Sequence, residues 1–170
     1  MGLLYDYFAA VDDRLAATVI DLDGGPTTAS QPGSPPRRPF RRKTSTPVGT
    51  VALDIVADTG IDPFVQMATL EALLTDRTYD EVLGDVLHHR VVAERNSGAV
   101  QVVTLTDVLT RALADADDDR LAAVAIPWSR TDEFLGGADP TELAILLQEL
   151  AALTRRARDR GERIFCWACV

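Results

Sequence analysis

The chain has 170 residues, 46% of them hydrophobic and 25% charged, which is one domain's worth of ordinary globular sequence. No apolar run approaches the ~18–20 residues of a membrane span. Met1–Asp6 lacks the basic start and apolar stretch of a signal peptide, and two cysteines make no disulfide framework. The expectation is a cytoplasmic protein without membrane association. The net charge of −9 is uneven: Arg37, Arg38, Arg41, Arg42 and Lys43 stand among residues 25–47 without an acid, leaving 12 bases against 26 acids elsewhere. A body that acidic repels nucleic acid and attracts a basic protein partner.

Taken in chain order, Gly2 to Ala9 reads as a short strand through Leu4, Tyr5, Tyr7 and Phe8. Asp12 or Asp13 caps a helix to about Leu22, with Val11, Leu15, Thr18 or Val19, and Leu22 on one face, and Gly24-Gly25-Pro26 stops it. Residues 25–47 are rich in Pro, Ser, Thr and Arg, with Phe40 the one aromatic residue. Such a stretch cannot bury enough apolar surface to offset its ordering entropy, and it is predicted to be a disordered insertion within one domain. Thr50 to Val56 alternates, with Val51, Leu53 and Ile55 on one face of a strand.

Asp62-Pro63 opens a helix with a buried stripe of Met67, Leu70 and Leu74. Thr78 or Asp80 starts a shorter helical piece through Leu87. Arg90 to Glu94 and Ala99 to Leu105 form two strands around an Asn96-Ser97-Gly98 turn. Thr106 caps a helix carrying Val108, Leu109, Ala112 and Leu113. Asp117 to Val124 adds a turn or two of helix, which Pro127-Trp128 breaks. Asp139 as cap, Pro140 at the first position and Glu142 completing a capping box start a long helix. Leu143, Leu146, Leu147, Leu150, Leu153 and Ala157 form its apolar face. Arg155, Arg156, Arg158 and Arg160 load its C-terminal end, with Arg156 on the solvent side, and Gly161 ends it. Ile164 to Val170 is an apolar run suited to a central strand covered on both faces. The predicted fold is α/β of the α+β type. It is a single domain with a mixed, mostly antiparallel sheet flanked by helices, and a long C-terminal helix followed by a buried terminal strand.

Chemical motifs are sparse. Cys166-Trp167-Ala168-Cys169 has redox spacing, but on a strand positions i and i+3 face opposite ways, which suits neither a disulfide nor a chelate. The only histidines, His88 and His89, are adjacent and do not converge on one ion, so no metal and no cofactor is expected. Asp117-Asp118-Asp119 reads as a helix cap. Gly24-Gly25 and Gly136-Gly137 are turns and match no phosphate-cradling loop. Arg41-Arg42-Lys43-Thr44 has the form a basic-directed kinase prefers, which makes Thr44 and Ser45 candidate phosphorylation sites. No catalytic residue can be assigned, and nothing in the sequence sets an oligomeric state.

The closing stretch Leu146-Leu147-Gln148-Glu149-Leu150, then Ala157, then Arg160-Gly161-Glu162-Arg163-Ile164-Phe165, resembles the end of the YfbM-like family of bacterial proteins of unknown function. The opening Met1-Gly2-Leu3-Leu4-Tyr5-Asp6-Tyr7-Phe8 and the segment Leu70-Glu71-Ala72-Leu73-Leu74-Thr75 are similar. The basic insertion and the cysteine-bearing tail depart from that pattern. The resemblance implies an α/β fold of about this size and no known activity, so no functional residue carries over. Ala-, Arg- and Asp-rich usage points to a high-GC bacterium.

Two functional readings follow. The first is a non-enzymatic interaction protein, immunity-like or regulatory, whose acidic surface meets a basic protein partner. Its expected patch is Trp128, Arg130, Asp132, Glu133 and Phe134, with Trp128 and Phe134 exposed, although Trp128 reads more readily as a plug at the edge of the core. The second is a small-molecule binder or enzyme whose pocket gathers Asp54, Asp58, Glu71, Trp128, Arg130 and Glu133 near element ends.

Overall fold

An apolar strand is stable in water only when both its faces are covered, and the run from Ile164 to Ala168 meets that condition. In the computed structural model, which describes residues 3–22, 24–27, 46–48, 51–57 and 59–170, this run is β7 (Arg163–Cys169). It lies at the centre of a five-stranded sheet of order β4-β1-β7-β6-β5, formed with β4 (Ile55–Val56), β1 (Leu4–Ala10), β6 (Val100–Thr104) and β5 (Val91–Arg95). All four pairings are antiparallel. Tyr7 stands opposite Cys166 in β1, and Val103 stands opposite it in β6.

Alternation along the strands sorts the side chains into two cores. Tyr5, Tyr7, Ala9, Val103, Ile164, Cys166 and Ala168 face a layer made by α2 (Gln66–Thr75), α4 (Asp107–Asp115), α5 (Asp118–Trp128) and α6 (Pro140–Arg160). Phe8, Ala10, Val102, Phe165 and Trp167 face the other way. There they meet Leu53, Ala16 of α1 (Asp13–Ala17) and Val19 of the 3-10 turn that follows it. Cys166 and Cys169 therefore leave β7 on opposite faces, as their spacing predicts.

α6 lays Leu143, Leu146, Leu147, Leu150, Leu153 and Ala157 on the sheet and its neighbours. Each fully buried leucine is worth about 1.5–3 kcal/mol. Its ends follow from three residues. Asp139 accepts the Thr141 amide at 2.8 Å, Pro140 needs no partner for an amide it lacks, and Gly161 closes the helix at φ 68°. The bond goes to Thr141 rather than to the amide of Glu142, so the cap is simpler than the expected box. The full reciprocal box stands at α3 (Tyr79–Leu83), between Thr78 and Glu81. Thr106 and Asp117 cap α4 and α5 by accepting the Leu109 and Arg120 amides. Asn96, Ser97 and Gly98 all adopt positive φ in the β5–β6 turn.

Several expectations are corrected. The first helix is one and a half turns, continued as a 3-10 turn over Thr18–Asp21, and Val11 is exposed rather than on its buried face. The strand expected over Thr50–Val56 is interrupted at Asp54. Its first part, β3 (Val51–Leu53), pairs with β2 (Thr46–Val48) in a separate two-stranded sheet, while β4 pairs with β1. The α3 helix ends at Leu83, not Leu87. α5 runs through Pro127 and Trp128 instead of breaking there. Proline so close to the helix end forfeits one amide bond, and burial of the Trp128 ring outweighs it.

Of the expected disordered insertion over 25–47, residues 28–45 lie outside the described residues. At its edges, Gly25 and Pro26 are buried and residues 46–47 belong to β2. Gly25 approaches Trp167 so closely that an added Cβ would lie 2.8 Å from the indole ring, and its φ of 84° also favours glycine.

Candidate functional site

The segment joining α5 to α6 is a short loop closed on itself. Ala138 donates its amide to the Ser129 carbonyl, so the two ends of the loop meet. Inside it, successive amides of Phe134, Leu135 and Gly137 donate to Thr131, Asp132 and Phe134. Thr131 donates its hydroxyl to Trp128 O at 2.9 Å.

Two side chains anchor the loop. Trp128 takes the core-plug reading rather than the exposed-patch one and is fully buried (0% exposed). Its indole Nε1 donates to the Gln66 carbonyl at 3.0 Å, and its ring takes Phe134 edge-on at 5.3 Å. Glu133 accepts the Thr69 hydroxyl at 2.8 Å. Burial opposes ionisation of Glu133, but the polar groups around it, Thr131 first, then its own backbone amide and the Thr69 hydroxyl, hold the carboxyl below its ordinary range. Tyr79 is close enough that burial, then the charges of Glu133 and Asp62, raise its phenol pKa. Of the expected patch, Arg130 and Asp132 are exposed, Glu133 and Phe134 are half-buried, and Trp128 is a foundation rather than a contact.

At the loop's tip stands a residue outside the expected patch. Leu135 is 95% exposed and holds φ 38°, ψ 50°, the left-handed conformation, ahead of Gly136 at φ 121° and Gly137 at φ 96°. For a branched apolar side chain this backbone costs about 1–2 kcal/mol, and here it buries nothing in return. The signal was present in the sequence as Phe134-Leu135-Gly136-Gly137, an apolar residue inside a glycine turn where no helix or strand face could claim it.

The residues of the alternative pocket reading are dispersed into separate roles. Asp58 lies outside the described residues. Asp54 accepts two bonds from Arg156, at 2.5 and 2.8 Å, and one from Arg160 at 3.4 Å. Partial burial opposes its charge, but Arg156 and then Arg160 hold the carboxyl below its usual value. Glu71 is 1% exposed. It takes Arg77 at 2.7 Å and a short bond from Thr106, and burial outweighs both, raising its pKa. This carboxylate ties α2 to the segment before α3 and to the cap of α4. The space beside it, which His88 also lines, is about 10 Å³, the scale of one water rather than a substrate.

His88 and His89 stack at 4.3 Å in the turn after α3, with Phe64 edge-on to His89. Burial, then the neighbouring His89, lowers the His88 pKa. Burial also raises the pKa of the Cys166 thiol, whose neighbour Tyr7 donates its hydroxyl to Ile61 O at 2.9 Å. Among the described residues no group of three or more His, Cys, Asp or Glu side chains could hold a metal ion, and no helix is long and apolar enough to cross a membrane. The candidate phosphorylation sites Thr44 and Ser45 lie outside the described residues.

Comparison with protein-family models, curated proteins and solved structures finds no match. The resemblance to the YfbM-like family rests on the short segments quoted above.

Proposed function

We propose that the protein is a non-enzymatic binding protein that presents the α5–α6 loop, tipped by Leu135 and flanked by Asp132 and Glu133, to a basic protein partner. The observation that carries this reading is the placement of Leu135. A leucine that costs backbone energy and is 95% exposed works against the fold. The loop beneath it is nevertheless held rigidly by Trp128, Thr131, Glu133 and the Ser129–Ala138 closure. A rigid apolar tip in an acidic surround loses little entropy on docking. The net charge of −9 would speed encounter with a positive surface. An immunity-like or regulatory role in the cytoplasm fits such a protein.

A photo-crosslinking residue at position 135, with one at the exposed α6 position Ile145 as control, tests the reading in cells of the source organism. Crosslinks to a basic protein from position 135 and not from 145 are expected, and the complex should weaken with added salt. Arg130→Ala should leave it intact, and Asp132→Asn should slow its formation. Equal crosslinking from both positions, or capture of acidic proteins only, would overturn the proposal.

A further inference from the structure

A second feature, independent of the α5–α6 loop, lies where α4, α6 and β7 converge. A cleft of about 280 Å³ opens there, between Asp107, Thr110, Arg111 and Ala114 of α4, the last turns of α6, and the turn into β7. Its origin is in residue size. Ala114, Thr154 and Ala157 are buried and small, and Gly161 has no side chain, so two packed helices leave a space that larger residues would fill.

Its rim is charged, with Arg111, Arg158 and Arg163 against Asp107 and Glu162. The acids are already engaged. Glu162 binds Arg160 at 2.7 Å, and Asp107 lies 3.7 Å from Arg163. Arg163 also reaches Asp13 at 3.3 Å, and Arg90 makes a short ion pair with the same carboxylate. Arg158 holds Asp115 at 2.8 Å, but both side chains are more than half exposed, so that pair is worth little and is easily exchanged. The Arg111 side chain is exposed and makes no hydrogen bond or ion pair among the described residues. A protein of net charge −9 thus keeps a guanidinium that no described residue engages, with two more beside it, on the rim of a cleft.

Guanidinium forks match the two oxygens of a carboxylate or phosphate, and several around one space favour an oxyanion over a neutral ligand. We propose that this cleft binds the oxyanion group of a small molecule, a phosphate monoester or a carboxylate. Arg111 is the primary fork, and Arg158 exchanges its exposed Asp115 for the ligand. Thr110, whose hydroxyl now donates to the Asp107 carbonyl at 3.2 Å, lines the same wall.

The test is an NMR titration of the full chain with inorganic phosphate and, separately, with acetate, each against sodium chloride at matched ionic strength. Saturable shifts of the backbone amides of Arg111, Gly161, Glu162 and Arg163 are expected with at least one of the two anions. Response to phosphate alone assigns the phosphate class, and response to acetate alone the carboxylate class. Arg111→Gln should weaken the interaction by about tenfold without moving the melting temperature, and Arg158→Gln by less. Leu135→Gly should leave it unchanged, which separates this site from the protein-binding loop. Shifts that chloride reproduces, or an Arg111→Gln protein that binds as the parent does, would overturn the proposal.

Discussion

The α6–β7 unit and the α5–α6 loop are neighbours in the chain and opposites in design. In α6 and β7 every strong local preference agrees with the fold. The leucines point inward, the cap residues sit at the ends, glycine takes the left-handed position, and the apolar strand lies at the sheet centre. In the loop one residue disagrees. Leu135 occupies a backbone conformation suited to glycine and turns its side chain to solvent. Where local preference and structure agree, the residue is explained by stability. Where they conflict in a well-held segment, stability cannot be the reason for the residue, and function is the remaining candidate.

The sharpest way to break this contrast is through Leu150, which is buried at the middle of the α6 face. Leu150→Ala should cost about 2–5 kcal/mol in urea unfolding, from lost transfer energy and the cavity left behind. A neutral result would mean that α6 is not the structural half of the comparison.

A smaller effect belongs to Arg156. Its position opposite the leucine face of α6 predicts the solvent side, whereas it binds Asp54 through two bonds and is only partly exposed. Arg156→Ala should cost about 1 kcal/mol, since the pair is still partly screened by water. The pH dependence carries a sign. Asp54 is held below its ordinary carboxyl value, so its contribution is present above about pH 4 and is lost as pH falls through the folded-state value. The stability gap between the parent and Asp54→Asn, followed by chemical denaturation from pH 7 downward, should therefore narrow on acidification. A gap that widened would show that burial, not Arg156, governs this carboxyl.

The smallest effect has the opposite sign. Leu135→Gly should leave the protein unchanged or about 0.5–1 kcal/mol more stable, because glycine relieves the left-handed strain but adds freedom to the unfolded chain. A thermal melt that fell by several degrees would place Leu135 with the leucines of α6 and remove the argument for a binding tip.

Elements governed by local chemistry were legible in the sequence. Thr106, Asp117, Asp139 and Gly161 act within one turn of the helix ends they define, and the Asn96-Ser97-Gly98 turn follows from residues that tolerate positive φ. What depends on distant partners was not legible. Asp54 interrupts a strand, and the two arginines that bind it come from a helix about a hundred residues away. Pro127 reads as a breaker because nothing nearby reveals that Trp128 will reach the Gln66 carbonyl. The same holds for the two candidate sites. Asp132 and Glu133 could be chosen from charge, while Leu135 needed a backbone angle and the Arg111 cleft needed two helices and a strand brought together.

The sheet order has a kinetic consequence. β7 lies between β1 and β6, and its register with β1 joins Leu4 to Cys169 and Ala10 to Arg163. This pairing encloses almost every other element, so its loop-closure entropy is lost before the central contacts can form. During synthesis β1 is made before β7 and waits with an open hydrogen-bonding edge until residues 163–169 have been made. Topologies of this kind fold in roughly milliseconds to seconds rather than microseconds. The waiting strand, apolar apart from Asp6, is then the segment through which unfinished chains would associate.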